Sequence, residues 1–130
     1  GTATVFDAVT ADGDYLGGAL FPGINIALEA LIQQTSQLRR VELVAPKSAI
    51  GRNTIAALQS GLVFGHVALV EGMISRFRKE LGETTRAIAT GGLADLVTAQ
   101  TDIFHTSNPD LTLIGLRMVY DMNSTGEIST

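Results

Sequence analysis

The sequence predicts an α/β fold in which helices pack on a mixed sheet, and two observations support this prediction. The chain opens with a strand–turn–strand pattern, and short β-type segments then alternate with helical segments. The 130 residues are enough for about one domain. We therefore expect one α/β domain over residues 1–122, in the order β-β-α-β-α-β-α-β-α, followed by a polar tail over residues 123–130.

The first two strands are predicted from a β-hairpin pattern. Residues 2–9 are rich in β-type side chains, and residues 15–21 are apolar again. Asp12-Gly13 lies between these runs, and an Asp-Gly pair in that position is a strong hairpin signal. Pro22-Gly23 is expected to end the second strand.

The remaining elements are predicted from apolar spacing and from capping residues. Asn53 is the expected N-cap of a long helix, and Gly82 is its expected stop. The expected helices span residues 24–35, 54–81, 93–99 and 111–122. The expected short strands span residues 40–44, 86–89 and 102–105.

Composition excludes several classes of protein. Apolar residues make up 45% and charged residues 17%, which excludes intrinsic disorder. Disulfides and thiolate metal sites are excluded because the chain has no cysteine. A net charge of −4 and an aromatic fraction of 5% disfavour nucleic-acid binding. Residues 54–74 are apolar enough to suggest a membrane span, but His66 and Glu71 favour a buried core helix, so no membrane partner is expected.

Glycine is the first indication of a binding site. The chain has 14 glycines, clustered at places such as Gly17-Gly18 and Gly91-Gly92, and several of the clustered glycines sit where a strand is expected to end. Backbone without a Cβ can approach a phosphate or nucleotide closely. Ligands of open α/β sheets bind beyond the carboxyl ends of strands. Ordinary turn glycines are the alternative interpretation.

A row of small residues marks one face of the long helix. Its members follow steps of four, four, three and four along the chain. They are Ala57, Gly61, Gly65, Ala68 and Gly72. Glycine inside a helix costs about 1 kcal/mol relative to alanine, so close packing of another backbone is expected to offset it. The sequence leaves open whether that backbone is an intradomain neighbour or a symmetry mate.

Polar residues supply the remaining candidates. Thr2 and Thr4 share one face of the first strand, where their hydroxyls can bond phosphate oxygens or merely suit a half-buried strand. Arg52-Asn53-Thr54 begins the long helix, where an anion site and plain capping are both open.

Histidine and aspartate give weaker signals. His66 is interpreted as a core or interface residue, while His105 is equally ambiguous at a strand end. Two isolated histidines do not make a metal site. Asp7 and Asp102 can act as bases only if a pocket surrounds them.

Several segments in this order resemble the carboxyl-terminal half of type III pantothenate kinases, a family also known as Bvg accessory factors. The segments are GTATVFD (1–7), YLGGA (15–19), PG (22–23), GRNT (51–54), ATGGL (89–93) and DLTLIGL (110–116). The resemblance implies half of a duplicated ribonuclease H-like fold, the fold of actin, Hsp70 and sugar kinases. It also implies ATP-dependent phosphorylation of pantothenate in coenzyme A synthesis, with ATP held between the two halves. A cytoplasmic homodimer that uses Mg²⁺ and a monovalent cation, K⁺ or NH₄⁺, is implied as well.

The resemblance assigns roles to particular residues. Thr2, after Gly1, matches an ATP-contacting threonine, and Gly91 and Gly92 match adenosine-side glycines. Thr54, with Asn53 beside it, matches the pantothenate-contacting threonine. The homodimer would form through the helix face that carries Gly61, Gly65, Ala68 and Gly72.

The departures from the family pattern are equally informative. The family's phosphate loop and general base are absent, and its cation-binding aspartate would stand just before Gly1. We expect the chain to be one lobe of the kinase and inactive alone, because phosphoryl transfer depends on positioning and charge stabilisation by a whole cleft. A non-catalytic transcriptional regulator and another kinase of the same superfold are the alternatives.

Overall fold

An antiparallel hairpin begins the chain in the computed structural model, which describes residues 2–34 and 38–124. Strand β1 (Ala3–Val9) pairs with β2 (Tyr15–Pro22), and the register shifts between Ala8 and Val9. Gly13 has φ 93° in the connecting turn, a conformation that favours glycine. The Asp12-Gly13 hairpin prediction is therefore confirmed.

The two faces of the hairpin have different surroundings. Thr4, Phe6 and Ala8 alternate along β1 on the more buried face. The opposite face is apolar and open, with Val5 50% exposed and its cross-strand partner Leu20 76% exposed. One side of this small sheet thus contributes to the core, and the other is uncovered.

Helix α1 (Ile24–Gln34) begins directly after Pro22-Gly23, and helix α2 (Thr54–Leu81) begins and ends where its capping residues predict. The Ala56 N–H donates to Asn53 Oδ1 over 2.9 Å, which caps α2. Gly82, with φ 106°, donates its N–H to the Arg78 carbonyl and ends the helix. The predicted last residue of α1, at position 35, lies outside the described residues.

The core is built around one face of α2. Val63 is fully buried, and Ile24 and Leu28 of α1 pack into the same core. The buried residues of α2 are Ser60, Leu62, Val63, His66, Val67, Val70 and Ile74. The helix is long and apolar enough to cross a membrane, but one such helix is weak evidence of a span, and its buried face serves this core.

The second half of the chain has short elements. Strand β3 (Ile88–Ala89) pairs in parallel with β4 (Thr106–Ser107), with helix α3 (Ala94–Thr98) between them in sequence. Helix α4 (Leu111–Ser124) follows and has no buried residue. It includes Asn123 and Ser124, which were expected in the polar tail, while residues 125–130 lie outside the described part.

Two strand predictions are wrong. Residues 40–44 are irregular, and side chains rather than a neighbouring strand bond to their backbone: Gln59 Nε2 donates to the Glu42 carbonyl over 2.9 Å. Residues 102–105 are also irregular, because the Ile103 carbonyl accepts from Arg78 and its N–H donates to Thr101 Oγ1. The His105 N–H donates to the Ala87 carbonyl over 2.7 Å, but the strand itself comprises only Thr106 and Ser107 and so lies later than predicted.

The sheet arrangement differs from expectation in one respect. Among the described residues, β1 and β2 form one two-stranded sheet and β3 and β4 form another, instead of a single mixed sheet. The α/β class itself is confirmed, with small sheets and packed helices.

Candidate functional site

A cavity of about 730 Å³, here called the β1 cavity, lies between β1, the carboxyl-terminal part of α2 and residues 85–91. Every residue of β1 lines it, and β2 occupies the other side of that strand. Val70 and Ile74 of α2 give it an apolar wall. A cavity of this size can hold a small organic ligand.

The residues predicted to bind nucleotide meet this cavity only in part. Gly91 lines it and has φ 101°, and a Cβ there would meet no atom within 4 Å. Thr2 is exposed just before the first lining residue, Ala3, and its carbonyl accepts from the Gly23 N–H over 2.9 Å. Gly92 does not line the cavity, and Gly1 lies outside the described residues.

A polar pair joins β1 to α2 at the cavity wall. Thr4 Oγ1 and His66 Nε2 are 2.9 Å apart, and the His66 side chain is buried on α2. Burial lowers the pKa of His66 because a charged imidazole loses its hydration there. The interpretation of His66 as a core histidine is therefore confirmed, with a partner that the sequence did not reveal.

Asp7 lies at the cavity with one carboxylate oxygen engaged. Tyr15 donates its hydroxyl to Asp7 Oδ1 over 3.1 Å, and this bond raises the pKa of Tyr15. Gly18 faces Asp7 across the hairpin, where a Cβ would lie 2.1 Å from the Phe6 carbonyl oxygen. Asp7 thus lines the cavity although it is exposed, whereas Asp102 is exposed and does not line the cavity.

Arg78 is a half-buried lining residue that sequence reasoning missed. Its Nε donates to the Thr85 carbonyl over 3.1 Å, and its Nη2 donates to the Ile103 carbonyl over 3.3 Å. The guanidinium thereby holds the segments before β3 and β4 against the end of α2. Arg78 lies in the last turn of α2, where a basic side chain also interacts favourably with the helix dipole.

Thr54 and Asn53 lie at the opposite end of α2 from most of the cavity lining. Both are exposed, and Asn53 uses its Oδ1 for capping, as plain capping predicts. Twelve residues separate Thr54 from His66, a distance of about 18 Å along a helix axis. Thr54 does not line the β1 cavity, so this chain alone does not bring the two candidate ligand sites into one pocket.

Gly51 packs tightly against the first turn of α2. A Cβ at this position would lie 2.2 Å from the Ala57 nitrogen, so the close backbone approach requires glycine. The sequence places Gly51 at the start of the GRNT segment (51–54) but does not reveal this contact.

The small-residue row of α2 faces away from the core. Its glycines would each carry a Cβ that meets no atom within 4 Å. All members of the row, Ala57, Gly61, Gly65, Ala68 and Gly72, are exposed. An intradomain contact is therefore not the reason for these glycines among the described residues. Part of the row, at Ala68 and Gly72, borders a groove against Leu20 and Phe21 of β2.

Metal ligands are missing from the described part of the chain. Within residues 2–34 and 38–124, no three His, Asp or Glu side chains lie together in a way that could hold a metal ion.

Comparison with known proteins gives a consistent family match. A family model described as type III pantothenate kinase matches residues 1–76. Relatives with the same description include proteins from Roseiflexus sp. (strain RS-1), 52% identical, and Myxococcus xanthus (strain DK1622), 50% identical. Each match covers 95% of this chain and 48% of the relative, so the chain spans about half the length of the curated relatives it matches.

A solved structure supports the fold. The chain superposes on a protein from Campylobacter jejuni described as a Baf family transcriptional activator, with a TM-score of 0.67 and 18% identity. The match covers 95% of this chain and 55% of that one. At this identity the likeness shows a shared fold.

Proposed function

This chain belongs to the type III pantothenate kinase family, and on that premise we propose that it forms the carboxyl-terminal lobe of an enzyme that phosphorylates pantothenate with ATP. The observation that carries the proposal is the 52% identity with such a protein across 95% of the chain. The finer fold assignment, one half of a duplicated ribonuclease H-like kinase, belongs to the same proposal.

The amount of exposed surface supports the two-lobed arrangement. The chain has a mass of 13.7 kDa and an accessible surface of 9583 Å². A compact monomer of that mass exposes about 6,600 Å², so roughly 3,000 Å² is in excess. A protein–protein interface typically buries about 800 Å² on each partner. The excess area is large enough for one interface with a second lobe and another with a further copy of the chain.

The nucleotide would lie at the amino-terminal end of β1. Thr2 directly precedes Ala3, the first residue of β1 that lines the cavity, and Gly91 lines the same cavity, which supports placing the nucleotide there. Gly1, which precedes Thr2, and Gly92, which follows Gly91, belong to the same proposed nucleotide site. The Thr2 hydroxyl would orient phosphate oxygens, and the glycine backbone would lie against the adenosine.

Pantothenate would bind at the start of α2. Thr54 is exposed there, and the helix amino terminus favours the pantothenate carboxylate. Asn53 would position this turn through its cap. The other lobe would bring this site near the nucleotide and supply the general base, because this chain contributes no assigned catalytic base.

Cations would be held outside the described residues. The family resemblance implies Mg²⁺ on the phosphates and K⁺ or NH₄⁺ beside them, and the described residues form no cluster of three metal-ligating side chains. This lobe therefore contributes orientation of the two substrates rather than metal ligands.

The exposed glycine face of α2 is the proposed homodimer contact. Gly61, Gly65 and Gly72 leave open space that another backbone can fill, and Ala68 lies in the same row. A cytoplasmic location is part of this proposal, since the reaction requires ATP.

Transcriptional regulation is the competing function. This role appears in the description of the C. jejuni protein, which resembles this chain in its fold. The net charge of −4 opposes direct DNA contact. Gel-shift binding that weakens steeply with salt would favour this alternative, and activity on another substrate in a panel would favour a different kinase of the superfold.

Reconstitution tests the kinase proposal. The chain would be fused behind the amino-terminal half of the Roseiflexus sp. relative and assayed for phosphopantothenate, with the 130-residue chain alone as comparison. We expect product only from the fusion. Product from the chain alone would contradict the two-lobed cleft, and a folded fusion that binds neither substrate would contradict the kinase assignment.

A matched pair of variants tests the pantothenate site in the same fusion. Thr54→Ala should raise KM for pantothenate about tenfold, the effect of losing one hydrogen bond of about 1.4 kcal/mol. Ser75→Ala removes an exposed hydroxyl elsewhere on α2 and should leave KM unchanged. Equal KM values for both variants would remove Thr54 from the site.

A further inference from the structure

His66 is an exception on the buried face of α2. Its neighbours on that face, Leu62, Val63, Val67 and Val70, are apolar, yet the histidine is only 9% exposed. A buried polar group is costly unless it is hydrogen-bonded, so a histidine here needs a partner. Thr4 Oγ1 supplies it, 62 residues away in the chain.

The amino-terminal end of β1 is held from two sides. On the β2 side, the Gly23 N–H donates to the Thr2 carbonyl over 2.9 Å. On the α2 side, Thr4 bonds to His66 over 2.9 Å. Farther along the strand the contact with α2 is apolar, with the Phe6 and Phe77 rings 6.1 Å apart. The His66 bond therefore gives the strand a directional attachment close to Thr2.

We propose that His66 is a positioning residue that holds Thr4 against α2 and thereby fixes Thr2 at the edge of the β1 cavity. The effect of this positioning on nucleotide binding rests on the proposed function. The attachment itself is a property of this chain and can be tested without any substrate.

The imidazole acts in its neutral form. Neutral histidine has one donor and one acceptor nitrogen, and a threonine hydroxyl can satisfy either at Nε2. Asp7 from β1, Arg78 from α2 and Arg86 before β3 are the charged groups that line the same cavity. Burial is nevertheless the cause that lowers the pKa of His66, so charging it opposes the packed arrangement.

Amide hydrogen exchange of the 130-residue chain tests the attachment. The Gly23 N–H reports on the Thr2 carbonyl that it bonds, and the Gly82 N–H, bonded to Arg78 O, reports on the far end of α2. Thr4→Val removes the hydroxyl at similar volume, and Thr4→Ser keeps it. We expect exchange at Gly23 to rise about tenfold in Thr4→Val, with Gly82 unchanged and Thr4→Ser like the parent chain.

Two outcomes would overturn the proposal. Unchanged exchange at Gly23 in a folded Thr4→Val chain would show that the bond does not position Thr2. A parallel rise at Gly23 and Gly82 would show that the hydroxyl only stabilises the fold as a whole.

The parent chain provides a second test if Thr4→Val fails to fold. Nitrogen NMR follows the titration of the buried His66 imidazole in this chain. We expect His66 to titrate below the ordinary histidine pKa, and protection at the Gly23 N–H to fall as the pH passes through the His66 midpoint. Protection at Gly23 that does not change across the His66 midpoint would refute the positioning role. If these measurements support the positioning role of His66 while the two-lobed fusion makes no phosphopantothenate, the kinase proposal is rejected and the positioning role stands.

Discussion

Replacing Gly65 by alanine should separate the stability of α2 from its proposed role in self-association. Gly65 lies inside a 28-residue helix, is exposed, and would carry a Cβ that meets no atom within 4 Å. Alanine is favoured over glycine in a helix interior by about 1 kcal/mol. With no clash to oppose this gain, Gly65→Ala should stabilise the isolated chain by about 1 kcal/mol.

The measurement is urea unfolding at low protein concentration, accompanied by a thermal scan. For a chain of this length, 1 kcal/mol corresponds to an increase of about 4 °C in Tm. Sedimentation at high concentration then reports on association. If the glycine face is a close dimer contact, the added methyl group should weaken association while it stabilises the monomer.

Destabilisation of the dilute monomer by Gly65→Ala would refute the inference that this face is open within the chain. A more stable monomer with unaltered association would instead exclude Gly65 from the dimer contact. Gly61→Ala, four residues earlier on the same exposed row, is the matched variant and should behave in the same way.

Three further predictions concern the start of α2 and the pH response. Gly51→Ala should destabilise the chain by about 2 kcal/mol or more in urea unfolding, since its Cβ would lie 2.2 Å from the Ala57 nitrogen. Asn53→Ala should cost about 1 kcal/mol in the same assay because the bond to the Ala56 N–H is lost, and a cost near zero would contradict the cap. The lowered pKa of His66 means that the unfolded chain binds more protons, so the free energy of unfolding should decline as pH falls below 6.5 and level off below the folded-state pKa. Replacing His66 by glutamine should flatten this decline, and an unchanged decline would contradict the assignment to His66.

The sequence predicted correctly the elements whose ends carry capping or turn residues. Asn53 and Gly82 gave the bounds of α2, and Asp12-Gly13 gave the hairpin turn. Short strands were less predictable because a strand requires a partner as well as suitable residues. Residues 40–44 have β-type side chains, but Gln59 bonds to their backbone in place of a neighbouring strand.

The candidate site was predictable only where motif residues meet in space. Gly91 was found from its glycine pair, and it borders the β1 cavity together with the Thr2 end of β1. The Thr4–His66 bond and the contact of Arg78 with the Ile103 carbonyl join residues far apart in the chain, which no local pattern reveals. Thr54 lies away from this cavity, so its role depends on the lobe that faces it.

Most of the buried core belongs to α2, and this determines at which positions segments of this chain can be exchanged with those of its relatives. Seven of the thirteen buried residues in the described ranges belong to that single helix. A crossover inside it would combine two independently evolved sets of packing partners, whereas junctions near Lys47 and Glu83 would exchange it whole. Hybrids cut at those exposed positions should retain cooperative melting, and libraries of such hybrids offer a direct route to mapping which segment sets substrate preference.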